Sequence, residues 1–359
     1  MKNKRILKIS QTNRCNGCHA CYSICPVKAI DMKADKEGFL RPYIDYKKCI
    51  SCLKCEKSCP ILNPLLLNRK NPKAFAAYHL NSKKREISSS GGIFLAIAEQ
   101  ILEENGVVFG VKLNTKFEII HSFTENIEGV YNFIGSKYVQ SCVGNTFIEV
   151  KQFLLKGRKV LFSGTPCQIA GLKKYLFKEY ENLLCVDIIC HGVPSPKLFV
   201  NYKNYLETEN KSLITNFKFR TKNNGWKQKA TIISFENNKK LIENKEHNIF
   251  SRLYLKDVSL RNSCYQCDFK TIGRISDITL ADFWGVEKNL PELNDDKGVS
   301  LILIHSKKGE NIFNNCKIFK KEVDIQRSLI SNPSAFSSSR KPLRRYFFYV
   351  DLEKDEFKS

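Results

Sequence analysis

The sequence predicts an α+β/α/β protein in two parts: a small cysteine-rich unit at the amino end, then a larger, mixed and mostly parallel α/β unit with an antiparallel extension. Three observations carry this. Eight cysteines fall in two matching runs before residue 64, strand and helix patterns alternate from residue 73 to 212, and from residue 213 the pattern turns to hairpins.

The first run is Cys15-x2-Cys18-x2-Cys21-x3-Cys25-Pro26 and the second Cys49-x2-Cys52-x2-Cys55-x3-Cys59-Pro60. Two-residue gaps bring three thiolates round one iron–sulfur cube, and the fourth cysteine, carried off before proline, ligates the other cube, the known spacing of two-cluster ferredoxins. Cys15, Cys18, Cys21 and Cys59 are thus expected to hold one 4Fe-4S cluster, and Cys49, Cys52, Cys55 and Cys25 the second. Zinc sites need paired ligands and disulfides an oxidising compartment, and neither suits this spacing. His19, with all ligand places filled, reads as a solvated neighbour. Between the runs, Ala29 to Tyr46 alternates around Lys36-Glu37-Gly38 as a short hairpin.

Residues 61–73 hold two Asn-Pro pairs and no sustained period, which sets the boundary between a 1–64 ferredoxin unit and the larger remainder of the chain. In the 73–212 half, strands are expected at Ala74–His79, Val107–Leu113, Lys159–Ser163 and Leu183–Ile189, and helices over Ser90–Asn105, Thr146–Lys156 and Pro166–Phe177. In the 213–330 half, Asn216–Lys222 and Lys229–Phe235 read as strands joined around Asn224-Gly225-Trp226, followed by a helix near Asn248–Lys256 and a strand at Ser300–His305. Residues 331–359 read as an irregular basic tail in which Arg340, Lys341, Arg344 and Arg345 are solvated.

Composition narrows the function. No apolar run is long enough to cross a bilayer, and a cysteine-rich chain with no apolar leader is expected in the cytoplasm. The net charge of +23 favours acidic partners. The lysines are scattered and no nucleic-acid recognition motif is present, so an acidic electron carrier, ferredoxin or flavodoxin, is the expected partner rather than nucleic acid.

Four further cysteines form a second constellation. Cys167 and Cys190 each follow an expected parallel strand, so both face the crevice where open α/β sheets bind ligands, and Cys264-x2-Cys267 supplies another pair. On spacing alone the four fit a third cube, a tetrahedral zinc or no metal. Cys185 reads as a small core residue, and Cys142 and Cys316 carry no assigned role. Ser88-Ser89-Ser90-Gly91-Gly92 opens a helix, where freed amides cradle phosphate or where the serine is only an N-cap.

With SSSGG at 88–92, GSKYVQS at 135–141, FSGTPCQIAGL at 162–172, DIICHGVPSP at 187–196, CYQC at 264–267, and Arg274 with SDITLADFWG at 276–285, the chain resembles the coenzyme F-420 hydrogenase and dehydrogenase beta subunits. The resemblance implies a flavin-binding α/β domain holding FAD and a third 4Fe-4S cluster on Cys167, Cys190, Cys264 and Cys267. It implies FAD contacts from Ser89, Ser90, Gly91, Gly92 and Lys137, Thr165 beside flavin and cluster, and Asp277 and Asp282 lining the site. The implied activity is an oxidoreductase moving electrons between a low-potential carrier and a small-molecule substrate. The alternatives are a non-catalytic electron-transfer subunit working with a partner oxidoreductase subunit, or an F-420-dependent beta subunit. The ferredoxin unit and the CHGVPSP form set this chain apart from the hydrogenase subunit and leave its substrate unassigned.

Overall fold

Strands β1 (Ile30–Ala34) and β2 (Leu40–Ile44) pair antiparallel from Ile30 opposite Ile44 to Ala34 opposite Leu40, giving the expected hairpin. The structure, a computed structural model, describes residues 8–65 and 71–354, so part of the expected linker and the last five residues of the tail lie outside the described residues. The hairpin turn is tied by the Asp35 carboxylate, which accepts from the amides of Glu37 at 3.1 Å and Phe39 at 2.9 Å. Ile9, Ile30, Ile44 and Cys55 form the core of this unit, and Cys21, Cys25, Cys49 and Cys59 pack on it.

The remaining strands are β3 (Lys73–His79), β4 (Val107–Leu113), β5 (Ile119–Thr124), β6 (Val160–Ser163), β7 (Leu183–Ile188), β8 (Ile214–Thr221), β9 (Ala230–Phe235), β10 (Lys240–Asn244), β11 (Ile278–Asp282), β12 (Ser300–Ile304) and β13 (Ile318–Val323). Eight of them form one sheet in the order β13-β3-β12-β11-β7-β6-β4-β5. The β4/β6, β6/β7 and β7/β11 pairs are parallel and the outer pairs antiparallel. The sheet is therefore mixed, as expected, but with four antiparallel pairs to three parallel ones it is not mostly parallel. Strand β12, from the carboxyl half, lies between β3 and β11, so the two halves share one sheet. Local alternation reports that a strand exists and not which strand it joins, which is why the share of antiparallel pairs did not show in the sequence.

Helices α1 (Ile93–Glu103), α2 (Thr146–Leu155) and α3 (Pro166–Leu176) cover the sheet. Ile93, Ile97 and Ile101 of α1 fall at the i, i+4 spacing of one face and are buried against Val108, Leu161 and Ile302. On the other core Phe147, Val150, Ile169 and Leu172 pack on Phe109 and Phe162, and Ala20 and Cys18 of the amino-terminal unit join them.

Strands β10-β9-β8 make a separate antiparallel sheet, the expected extension. Helices α4 (Pro196–Asn210), α5 (Ile249–Leu255) and α6 (Arg345–Glu353) pack with it through Phe199, Phe217, Phe250 and Tyr349, and Phe39 of the β1–β2 hairpin enters the same cluster. The stretch read as an irregular tail thus ends in a helix whose Tyr349 and Leu352, three residues apart, face the core. Arg345, read as solvated, is 5% exposed and forks onto Glu37 at 2.7 and 2.5 Å. Its neighbours in sequence are basic, and only the fold reveals the acidic partner. Among the described residues no helix is long and apolar enough to cross a membrane.

Candidate metal centres and cofactor site

The cysteine runs of the amino-terminal unit fold as a structural repeat. Gly17 and Ser51, each two residues after the first cysteine of its run, have φ of 64° and 56°, and His19 and Leu53 have φ of 65° and 60°. These left-handed positions turn amides inward, so Gly17 N lies 3.4 Å from Cys15 Sγ and Ser51 N 3.4 Å from Cys49 Sγ. Burial pushes the Cys18 thiol up to about 12, and Cys59 and Cys15 lie close enough to disfavour its anion further. Cys59, the fourth cysteine of the second run, thus lies near thiols of the first run. Cys55 is raised to about 11 by burial, with Cys52 and Cys49 as the neighbouring thiols. His19 is not solvated: it is 3% exposed, and neither ring nitrogen has a hydrogen-bond partner among the described residues. Burial lowers its pKa to about 3.

The second constellation converges as well. β6 runs into Gly164 and Thr165, whose side chain caps α3 while its amide donates to Gln168 Oε1 at 2.9 Å. This fixes Cys167 in the first turn, with Thr165 Oγ1 3.1 Å from Cys167 Sγ. Cys190 follows β7, and Cys264 and Cys267 come from the turn at Asn262–Gln266 and the residue after it. Asn16, Thr165 and the four cysteines line one cavity. Burial raises Cys167 well above the usual thiol value, with Cys267, Cys190 and Cys264 adding to it, and raises Cys264 to about 12, with Cys190 and Cys267 adding. Four half-buried thiols that resist ionising alone are a donor set for a cation, which inverts that preference. One zinc ion, at about 2.3 Å from each sulfur, would draw its ligands to within about 4 Å of one another. Among the described residues no group of three His, Cys, Asp or Glu is set to hold a metal ion in that way.

The two centres are neighbours. Arg261, 4% exposed, lines the cavity and donates to Cys15 O at 2.8 Å, Leu40 O at 2.9 Å and Gln140 Oε1 at 2.8 Å. Gln140 in turn donates to Asn16 O at 2.8 Å. A Cβ on Gly171 of α3 would stand 2.8 Å from Cys18 Cβ and 2.9 Å from its sulfur, so glycine there lets the cysteine loop lie against the helix. Arg261 carried no sequence signal beyond standing three residues before Cys264. Lys270, also missed, donates to the carbonyls of Cys190 and, at 3.3 Å, His191.

The residues expected at a flavin divide between two places. Ser89 and Ser136 join hydroxyls at 3.0 Å, bringing the SSSGG and GSK motifs together. The Gly91 amide donates to Ser300 Oγ at 2.9 Å, and the position has no room for a side chain, since a Cβ would stand 2.5 Å from Ala77 O. Gly92 begins α1 at φ 86°. Lys137 Nζ donates to the carbonyls of Asn132 and Ile134, and burial lowers its pKa to about 7. Asp282, at the carboxyl end of β11, is forked by Arg220 at 2.7 and 2.9 Å and receives Trp226 Nε1 at 3.0 Å. Burial opposes its charge, and Arg220 outweighs burial to hold its pKa below the usual range. Asp277 is elsewhere. At the amino end of β11 it accepts from Cys185 N at 2.7 Å and Ser306 Oγ at 2.6 Å, so it ties strands together a strand's length away from Asp282 and does not line the same site.

Fold and centres define an iron–sulfur electron-transfer protein in which a two-cluster unit is docked on a cysteine-bearing α/β unit. Residues 157–325 match the family described as the C terminus of the coenzyme F420 hydrogenase/dehydrogenase beta subunit, and residues 14–62 match the 4Fe-4S dicluster domain. The α/β part of the chain thus matches that hydrogenase/dehydrogenase family and the amino-terminal part the dicluster domain. It is 23% identical over 228 residues to a subunit of the F(420)H(2) dehydrogenase of Methanosarcina mazei, spanning 57% of this chain and 64% of that relative. It is 24% identical over 358 residues to an uncharacterized protein of Methanocaldococcus jannaschii, covering 87% of this chain and 90% of the other. A chain of the F420-reducing [NiFe] hydrogenase complex from Methanosarcina barkeri shares the fold with a TM-score of 0.50 and 13% identity, over 81% of this chain and 93% of that one.

Proposed function

We propose that this chain is an oxidoreductase that passes electrons between a low-potential one-electron carrier and a small-molecule substrate, through three 4Fe-4S clusters and FAD. The observation that carries the reading is the shared wall: Asn16, from the loop of the first cysteine run, lines the cavity of Cys167, Cys190, Cys264 and Cys267. Electron carriers in two such neighbouring places form a conduit, and a conduit needs an end. When bound, FAD supplies the conversion of single electrons into hydride chemistry at N5.

Lys137 supports a place for an anionic cofactor. It is a half-buried ammonium whose described acceptors are uncharged carbonyls, and an anion beside it would raise its lowered pKa. Ser89, Ser90, Gly91 and Gly92 would hold the cofactor's phosphates with Ser136, Lys137 would meet its charge, and Thr165 would stand between cofactor and cluster. Asp282, held anionic and already forked by Arg220, would shape the wall rather than bind phosphate.

A second reading rests on the relatives. Both the F(420)H(2) dehydrogenase subunit and the hydrogenase chain are by name parts of larger assemblies, so this chain can equally serve as an electron-transfer subunit to a partner oxidoreductase. Coenzyme F420 is the first substrate to try on the same ground.

Anaerobic purification with iron, sulfide, zinc and flavin analysis tests the reading. About twelve irons and one FAD per chain support it. About eight irons with one zinc and no flavin would overturn the catalytic reading in favour of an electron carrier. Clusters and flavin without turnover, together with a co-purifying subunit, would favour the second reading.

A further inference from the structure

The two cysteine sets of the amino-terminal unit differ in what surrounds them. The first faces inward, with Cys18 against Gly171 and Cys15 under Arg261. The second opens outward. Cys52 is exposed, as is Ser51, and Ile50 between Cys49 and Cys52 is 60% exposed.

Five exposed lysines border this end: Lys47 and Lys48 precede Cys49, Lys54 follows Cys52, Lys57 lies one turn on, and Lys28 follows Cys25-Pro26-Val27. Lys28, Lys47, Lys54 and Lys57 form no ion pair among the described residues, and Lys48 reaches Asp45 only at 3.7 Å. The nearby acids are occupied by backbone: Asp45 accepts from Lys47 N at 2.9 Å and Glu56 from Lys8 N at 2.7 Å. Asp31, on β1, is the exposed acid of the adjoining hairpin.

An apolar tip over a redox centre, set among exposed cations, complements a small acidic redox protein: the charges steer and orient, and the tip excludes water at closest approach. We propose that the face formed by Ile50, Ser51 and Cys52 with Lys28, Lys47, Lys48, Lys54 and Lys57 is the docking surface for an acidic ferredoxin. This rests on the reading above that the chain exchanges electrons with a one-electron carrier. One electron leaves the reduced cluster of the ferredoxin, which is oxidised by one, and the group held by Cys25, Cys49, Cys52 and Cys55 gains it. No bond or proton changes.

The test uses the full chain with its clusters, an acidic two-cluster ferredoxin as probe, and calorimetric binding beside the rate of ferredoxin oxidation. A K47E/K54E/K57E variant is expected to weaken binding and kcat/KM at least about tenfold at low ionic strength. Wild-type binding is expected to weaken as salt rises to about 0.5 M, where screening shortens to a few ångströms. An R340E/R344E control, equal in sign but beside the exposed Leu343 at the other end of the chain, should bind as wild type. If the triple variant takes up less iron, K54Q/K57Q carries the same comparison with a smaller loss. The surface is overturned if the triple variant binds as wild type, if the control loses as much, if wild-type binding ignores salt, or if only an acidic flavodoxin binds. Reduced methyl viologen separates the two readings. A wild type that accepts electrons from viologen but from no acidic carrier sinks the carrier reading and the surface together, whereas normal ferredoxin oxidation by the triple variant sinks the surface alone.

Discussion

Arg261 meets Cys15 twice: Nε donates to its carbonyl at 2.8 Å and Nη2 lies 3.7 Å from its sulfur. The same guanidinium reaches Leu40 O and Gln140 Oε1, so one buried cation joins the first cysteine loop, the β1–β2 hairpin and the α/β unit. Replacing it with Gln strands several buried acceptors, and we expect a loss of about 2–4 kcal/mol. We also expect a lower midpoint potential for the first cluster, because a nearby positive charge favours the reduced state. Redox titration followed by EPR reads the shift. An unmoved potential with intact iron content would make Arg261 a structural tie only.

Gly171→Ala places a methyl group where Cys18 now lies, and overpacking of this kind costs about 1–3 kcal/mol. The expected result is a lower thermal midpoint and a changed EPR line shape for one cluster. A Gly171→Ala protein identical to wild type in both would show that the loop moves away freely.

The paired variant Cys264→Ser/Cys267→Ser should lower iron from about twelve to about eight per chain while the two ferredoxin signals persist. Retention of about twelve irons would remove these residues from the proposed third centre.

Lys137 gives a pH prediction. Its folded pKa of about 7 lies below the ordinary 10.5, so between those values the unfolded chain binds more protons than the native one and stability rises with pH. Buried thiols such as Cys185, raised by burial to about 12 from the ordinary 9.0, work the other way at higher pH. Flavin-free protein should therefore gain urea resistance from about pH 7 to about pH 9, and Lys137→Met should flatten that gain and lower flavin uptake. An unchanged slope in the variant would mean that Lys137 is solvated.

Arg345→Ala leaves Glu37 without its fork and should cost about 2–4 kcal/mol, read from the urea midpoint. Glu37→Gln should cost less, and the double variant should show coupling of about 1–3 kcal/mol.

Much of the site was legible because its chemistry is local. The repeat of Cys15–Cys25 in Cys49–Cys59 is a repeat of backbone turns, and those turns depend on residues within the run. Thr165-Pro166-Cys167-Gln168 is likewise a helix start written in four residues. What stayed hidden depends on partners far along the chain. Asp277 and Asp282 share one motif, yet strand geometry sends them to opposite ends of β11. His19 read as solvated because nothing nearby in sequence announces that Ala20 and Cys18 enter the core of the α/β unit. Strand β13 is not among the expected strands, and its place at the sheet edge depends on β3, far away in sequence.

The Glu37–Arg345 clamp spans 308 positions of sequence. At about 5–20 residues per second, a ribosome needs roughly 15–60 s after making the hairpin before it makes the arginine that closes on it. Throughout that interval the cysteine runs exist without the α6 contact that holds their hairpin down.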